Sequence, residues 1–178
     1  RSSAASDVYK RQEYGFRYRG VKCPNLVISV SGHVAAIKAC DYLGIEVRIV
    51  DQTKDYKMDI KSMKSQIDSN TIMVYTSYPN YPYGTVDDIH QIAKICRKKS
   101  SPMHIDMCLG GFLVPFLKNE KGEPMLEIPE GTTSISLDPH KYGLAAKGAS
   151  IILYSDELIQ RQQFFTSAYW PGGCLLYT

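Results

Sequence analysis

A short apolar run gives way to a polar turn in the sequence TSISLDPHKYG, residues 133–143. Pro139 has no amide hydrogen and forces Asp138 into an extended conformation, so we predict that a strand ends there. His140 and Lys141 then lie just past a strand end, at the edge where open α/β sheets bind ligands. A lysine held partly out of water at such an edge can act as an amine nucleophile. An isolated His-Lys pair also fits an ordinary surface loop, because lysines are mostly exposed.

Strand and helix patterns alternate upstream of this turn. Short apolar runs predict strands, periodic apolar positions predict helices, and the two alternate as far as about residue 106. This alternation predicts an α/β fold with a mostly parallel sheet flanked by helices. The predicted strands are 26–30, 45–50, 72–76, 102–106, 133–138 and 149–154, and the predicted helices are 34–43, 57–68, 86–98 and 158–165. The hairpin-like connection between the strands 133–138 and 149–154 allows an antiparallel pair there.

Two more candidate residues follow predicted strand ends. His33 lies in the first turn of the first predicted helix, for which Ser31 is the predicted N-cap and Gly44 the predicted end. Its ring could stack on an aromatic ligand, or it could cap the helix or face solvent. Asp106 ends an apolar strand, where a carboxylate needs a cation, a protonated ring nitrogen or a local hydrogen-bond donor. His33, Asp106 and Lys141 are therefore expected at one edge of the sheet.

Other segments of the sequence each allow more than one structural interpretation. The sequence from Ser77 to Gly84 holds three tyrosines and two prolines, and it predicts either a ligand-contacting wall or a rigid turn. The adjacent Gly110 and Gly111 allow a close backbone approach or a positive φ. In the helix 86–98, Asp87 and Asp88 favour the N-terminus through the helix dipole.

Composition excludes several classes of function. The chain has 178 residues, 44% of them hydrophobic, which is ordinary for a globular protein. The net charge of +3 comes without a basic face, so we expect no nucleic-acid partner. The five cysteines are odd in number and lack a metal-ligand spacing, which indicates reduced thiols and no metal site. No apolar run approaches the length of a membrane span.

Both ends of the chain differ from its middle. Residues 1–12 are polar and aperiodic, and they resemble translated adapter or vector sequence, as do residues 174–178. We therefore predict artefactual or disordered tails at 1–12 and 174–178, with a natural disordered arm as the alternative. Residues 13–173 are predicted to be part of a larger domain, because the chain reads as an internal fragment.

An amine, a carboxylate and an aromatic ring at one edge of a sheet suit an aromatic aldehyde cofactor. The amine of Lys141 would form a Schiff base, Asp106 would keep a pyridine nitrogen protonated, and the ring of His33 would stack on the cofactor. A Schiff-base lysine with an acidic partner for the pyridinium is the expected signature of pyridoxal 5′-phosphate.

The motifs also resemble a known family. Ser-Gly-His at 31–33, HIDMCLGGF at 104–112 and DPHKYG at 138–143 are similar to fold-type I, group II decarboxylase-like pyridoxal phosphate enzymes. Within these, HIDMCLGGF, residues 133–143, Lys147-Gly148 and Gly172-Gly173 resemble the sphingosine-1-phosphate lyases. Pro139 departs from that pattern, because the lyases usually have a threonine there and the decarboxylases a proline.

The resemblance implies roles for five residues. Lys141 would carry the cofactor, Asp106 would pair with its pyridine nitrogen, and His33 would stack on its ring. His140 would lie near the cofactor phosphate, and Lys147 would meet the phosphate of the substrate.

The resemblance also implies an activity. It is cleavage of a phosphorylated sphingoid base, such as sphingosine 1-phosphate, to a fatty aldehyde and phosphoethanolamine. The alternatives are an amino-acid decarboxylase of the glutamate or aromatic type and a non-catalytic protein of the same fold. The family further implies a homodimer, a phosphate cradle and a C-terminal domain outside this chain, and a fragment that is inactive by itself. In eukaryotic members it implies an N-terminal anchor in the endoplasmic reticulum membrane, with the enzyme on the cytosolic face.

Overall fold

The computed structural model describes residues 3–167, 169, 171 and 175–177. Helices and strands alternate along most of this range, as the sequence predicts. The elements are α1 Ser3–Tyr18, β1 Asn25–Ser29, α2 Val34–Leu43, β2 Glu46–Val50, α3 Ile60–Gln66, β3 Thr71–Ser77, α4 Ile89–Lys98, β4 Met103–Met107, a 3₁₀ helix Val114–Phe116, β5 Ser134–Leu137, β6 Ile151–Tyr154, α5 Glu157–Arg161, β7 Phe165–Ser167 and β8 Leu175–Tyr177.

Six of the strands form one sheet in the order β2-β1-β3-β4-β5-β6. All neighbours pair in parallel except β5 and β6, which are antiparallel. The predicted α/β fold with a mostly parallel sheet is therefore confirmed. Because β1, β3, β4 and β5 run in the same direction, the loops that follow them meet at one edge of the sheet.

Every residue of β1, β3 and β4 is buried, because helices cover both faces of the sheet. Side chains alternate between two core clusters. Val27, Val74 and Ile105 face the cluster that packs against α3 and α4, whereas Leu26, Ile28 and Met73 belong to the cluster that packs against α2.

The helix α2 spans residues 34–43 as predicted, but its N-cap lies two residues later in the sequence than predicted. His33 is its N-cap and accepts a hydrogen bond from the Ala35 amide at 3.2 Å, so the prediction of Ser31 as N-cap is wrong. The chain first makes a turn, in which the Gly32 amide donates to the Ser29 carbonyl, and the Ser31 hydroxyl lies 3.1 Å from the Ser29 hydroxyl. Gly44 ends the helix with a φ of 63°, as predicted.

The helix α4 buries one apolar side, which comprises Ile89, Ile92, Ala93 and Cys96. Within the part of the chain that is described, no helix is both long and apolar enough to cross a membrane.

The ends of the chain differ from the expectation of disordered tails. Residues 3–12 belong to α1, in which Asp7, Val8 and Arg11 are buried, and residues 175–177 pair with β7. The residues 1, 2, 172–174 and 178 lie outside the described residues. The Arg11 guanidinium has no hydrogen-bond partner among the described residues, and its Nε lies 3.5 Å from Asp7 Oδ2, a costly arrangement for a fully buried cation. The foreign origin of the two ends stays a prediction.

The two aspartates before α4 have different roles. Asp88 is the N-cap of α4 and accepts a hydrogen bond from the Gln91 amide at 3.0 Å. The buried carboxylate of Asp87 accepts hydrogen bonds from the Met58 amide at 2.8 Å, and from the Ser77 amide and the Thr76 hydroxyl, each at 2.9 Å. Asp87 therefore joins the end of β3 to the loop before α3.

Replacing Asp87 by alanine is expected to lower the free energy of unfolding by about 3–5 kcal/mol, because three buried donors lose their acceptor. Urea unfolding of the intact protein measures this loss. The matched variant Asp88→Ala removes an exposed helix cap and should lower the free energy of unfolding by about 1 kcal/mol. Equal losses in the two variants would contradict the structural role of Asp87.

Candidate functional site

A cavity of about 350 Å³ opens at the edge of the sheet where β1, β3, β4 and β5 end. The three residues that the sequence placed at this edge, His33, Asp106 and Lys141, all line it. Ser77, Tyr81 and Cys108 complete much of its wall. The parallel strands thus bring together residues that are up to 108 positions apart in the sequence (141 − 33).

Lys141 lies in the turn that follows β5. Its amide donates to the Asp138 carbonyl at 3.0 Å, and its Nζ lies 2.9 Å from Asp138 Oδ2. The Ser150 hydroxyl donates to the other carboxylate oxygen, which ties the start of the β5–β6 connection to its end. The Lys141 side chain is 34% exposed, so its amine is both oriented by Asp138 and accessible from the cavity.

Asp106 lies at the end of β4 and is 8% exposed. Tyr75 donates its hydroxyl to Oδ2, and Oδ1 accepts hydrogen bonds from the Cys108 amide at 2.9 Å and the Ser136 hydroxyl at 3.1 Å. Burial raises the pKa of the Asp106 carboxyl, but the hydrogen bonds from Tyr75 and Cys108 outweigh this effect and hold the pKa below its usual value. The cavity therefore contains an ionised carboxylate at neutral pH.

His33 takes the capping role that the sequence left open, and it also lies at the cavity. Its Nδ1 accepts the hydrogen bond that caps α2, and its exposed ring lines the cavity. When the imidazole is neutral, an accepting Nδ1 leaves the proton on Nε2. The helix cap therefore fixes both the place and the tautomer of a ring that is open to a ligand.

His140 and Lys147 are on the same connection between β5 and β6, but neither is among the described residues that line the cavity. His140 Nδ1 donates to the Ala149 carbonyl at 2.5 Å, and Nε2 lies 3.9 Å from Asp138 Oδ2. Lys147 is exposed within the exposed segment 142–149. The structure thus brings three of the five predicted residues into one cavity and leaves two beside it.

The tyrosine-rich loop satisfies both of its interpretations. Tyr81 lines the cavity and is 79% exposed, so it is available to a ligand. Tyr83 instead stacks on Tyr56, with ring centroids 4.2 Å apart and an interplanar angle of 15°. One tyrosine therefore forms part of the cavity wall while the other makes the loop rigid.

Gly110 provides a close backbone approach, one of the two predicted uses of the glycine pair. A Cβ atom at this position would lie 2.5 Å from the Tyr78 carbonyl oxygen. The loop after β4 can therefore pack directly on the end of β3, which closes this side of the cavity.

The buried hydroxyls that hold Asp106 are not among the residues predicted from the sequence. Tyr75 directly follows the apolar run 72–74, and nothing in the local sequence indicates that it contacts a carboxylate. Ser134 and Ser136 do give one, because two serines with the period of a strand indicate a polar strip on one face of the sheet. Both are buried, and both lie within hydrogen-bond distance of the His104 ring, at 2.8 Å and 3.1 Å.

A sequence model described as the pyridoxal-dependent decarboxylase conserved domain matches residues 8–171. The chain belongs to this family. The predicted cofactor, pyridoxal 5′-phosphate, is confirmed by this match, as is the resemblance to a decarboxylase-like family.

Relatives within the family include sphingosine-1-phosphate lyases. The protein of that name from Drosophila melanogaster is 44% identical over 165 residues, which cover 91% of this chain and 30% of the relative. Sphingosine-1-phosphate lyase 1 from Rattus norvegicus is 43% identical over 160 residues, covering 87% and 28%. The chain therefore spans less than a third of the length of these relatives.

One solved structure supports the same grouping, and a second supports the fold. A sphingosine-1-phosphate lyase from Burkholderia pseudomallei superimposes with a TM-score of 0.92 and 31% identity, over 98% of this chain and 41% of that one. A glutamate decarboxylase from Lactobacillus brevis shares the fold, with a TM-score of 0.72 and 24% identity. The match covers 97% of this chain and 41% of the decarboxylase chain.

Proposed function

We propose that the protein is a pyridoxal 5′-phosphate-dependent lyase that cleaves a carbon–carbon bond in a phosphorylated sphingoid base. The products would be a fatty aldehyde and phosphoethanolamine. The cavity that gathers Lys141, Asp106 and His33 carries the chemical part of this proposal. The substrate class is supported by the relatives named sphingosine-1-phosphate lyase and by the agreement with the bacterial lyase fold.

The cavity residues fit the cofactor in chemical type. Lys141 offers an amine for the aldehyde, Asp106 offers an ionised carboxylate for the ring nitrogen, and His33 offers a flat imidazole for the ring face. When bound, pyridoxal phosphate supplies an electron-accepting ring that stabilises the charge left on carbon when a neighbouring bond breaks.

Three side chains of the cavity would then have separate roles in the reaction. Asp106 would hold a proton on the ring nitrogen, because three donors keep its carboxylate ionised. Lys141 would anchor the cofactor, and its amine would hold or move a proton at the substrate. His33 would cover one face of the ring and exclude water from it.

His140 and Lys147 are proposed as phosphate-binding residues beside the cavity. His140 would lie near the cofactor phosphate, and it already braces the β5–β6 connection through the Ala149 carbonyl. Lys147 would meet the substrate phosphate, since its exposed segment borders the turn that carries Lys141.

We also propose that the intact protein is a homodimer. Phe116 and Leu144, on the loops after β4 and β5, expose large apolar side chains at the edge of the sheet where the cavity opens. If the protein carries the N-terminal anchor of eukaryotic lyases, it would act at the cytosolic face of the endoplasmic reticulum membrane.

The decisive assay supplies the full-length protein with pyridoxal phosphate and compares substrates. Sphingosine 1-phosphate should release a fatty aldehyde, whereas glutamate and aromatic amino acids should release no carbon dioxide. Carbon dioxide without aldehyde would instead establish an amino-acid decarboxylase. Pro139 is the residue of this chain that agrees with that alternative.

Replacing Lys147 by alanine is expected to raise the KM for the phosphorylated substrate about 10- to 100-fold, because a charge-assisted phosphate contact is lost. Steady-state aldehyde release measures this effect. The matched control is Lys121→Ala, an exposed lysine in the surface segment 118–131, which should leave KM unchanged. An unaltered KM in the Lys147 variant would contradict the phosphate role.

A further inference from the structure

A buried polar layer contacts Asp106 through residues that do not line the cavity. Tyr75, on β3, is completely buried and stacks on the His104 ring with centroids 5.2 Å apart. Ser136, on β5, is also completely buried. Neither Tyr75 nor Ser136 is among the described residues that line the cavity.

The two hydroxyls of this layer donate hydrogen bonds to different oxygens of the Asp106 carboxylate. The phenol of Tyr75 donates to Oδ2, and the Ser136 hydroxyl donates to Oδ1 at 3.1 Å. Burial and the adjacent Asp106 charge raise the pKa of Tyr75 well above its usual value, so the phenol keeps its proton and remains a donor. A fully buried phenol needs a hydrogen-bond partner, and here that partner is the Asp106 carboxylate.

We propose that Tyr75 and Ser136 are positioning residues for the cofactor, which act by fixing the orientation and the charge of Asp106. The proposal rests on the proposed function, in which Asp106 pairs with the pyridine nitrogen. Neither hydroxyl touches the cofactor, and each acts through one oxygen of the carboxylate.

The consequence concerns the proton shared between Asp106 and the ring nitrogen. Two neutral donors stabilise the carboxylate relative to the carboxylic acid, so the proton stays on the nitrogen. When one donor is removed, the carboxylate becomes more basic, and the shared proton moves toward Asp106. The ring then loses pyridinium character, although every residue lining the cavity is unchanged.

The test uses full-length protein with Tyr75→Phe and Ser136→Ala, loaded with pyridoxal phosphate labelled with ¹⁵N in the ring. In each variant the ring-nitrogen resonance should move toward that of neutral pyridine, and the dissociation constant of the cofactor should rise about 10-fold, as expected for a hydrogen bond to a charged group. The control Tyr78→Phe removes a phenol that donates to the Met125 carbonyl at 2.8 Å, and it should move neither quantity.

The variant Asp106→Asn separates this proposal from the one on which it rests. If Asp106→Asn leaves the resonance in place, the pairing of Asp106 with the ring is refuted. If Asp106→Asn moves the resonance but Tyr75→Phe and Ser136→Ala do not, the positioning role is refuted. A weaker cofactor affinity without a change of resonance would also refute it, because that result reports packing alone. Should Tyr75→Phe fail to fold by circular dichroism, Ser136→Ala decides the question.

Discussion

Replacing Lys141 by alanine is expected to reduce the turnover of the full-length enzyme by about 10³-fold or more, because the variant loses both the anchor of the cofactor and a proton carrier. The visible absorbance of lysine-linked pyridoxal phosphate should disappear with the activity. Absorbance spectroscopy and an assay of aldehyde release measure the two effects on one sample. Because the Lys141 side chain is 34% exposed, its loss should leave the fold intact.

The variant Lys141→Arg is the matched control for charge. Arginine can keep an ion pair with Asp138, which Lys141 Nζ approaches to 2.9 Å, but its guanidinium does not deprotonate to form the covalent bond. The arginine variant should therefore fold normally and still lack the absorbance band and the activity. Activity comparable to that of the natural protein in either variant would eliminate Lys141 as the cofactor lysine.

Replacing Asp106 by asparagine is expected to lower turnover by about 10²- to 10³-fold, the range observed when one electrostatic partner of a developing charge is removed. Asparagine keeps the size of the side chain but loses the charge that would hold a proton on the ring nitrogen. The hydrogen bonds from Tyr75 and Cys108 hold the pKa of Asp106 below its usual value, so the natural protein keeps this charge as the pH falls toward about 4. Aldehyde release at several pH values measures the loss.

Asp41→Asn is the control for this change, since it neutralises an exposed carboxylate on α2. It should leave turnover within about twofold, because an exposed charge far from the cavity is screened by water and salt. An Asp106→Asn variant that matches this control would contradict the assignment of Asp106 as the ring-nitrogen partner.

The fold was largely predictable because its signals are local. Apolar runs with short polar interruptions marked the buried strands, and Ile89, Ile92, Ala93 and Cys96 recurred with the spacing of a helix face. The candidate site was predictable for a related reason. Parallel strands align their C-terminal ends, so residues just past those ends, such as His33, Asp106 and Lys141, must share one edge.

The features that the sequence did not predict depend on contacts between distant segments of the chain. Tyr75 and Ser136 meet Asp106 from 31 and 30 residues away in the sequence, on neighbouring strands whose register no local pattern specifies. The N-cap of α2 was not predictable from local pattern, because the Ser31 hydroxyl lies within hydrogen-bond distance of the Ser29 hydroxyl and His33 caps the helix instead. The burial of Arg11 was likewise unpredictable, because an aperiodic sequence gives no reason to place it inside.

The shared direction of the parallel strands also has a practical use. Ser69 is exposed in the turn that precedes β3, at the edge of the sheet opposite the cavity. The seven residues of β3 span about 23 Å between that turn and the cavity wall at Ser77. A fluorophore or a surface tether attached through a cysteine at position 69 would therefore leave the cavity unobstructed, so single immobilised molecules could be watched while ligand enters and leaves.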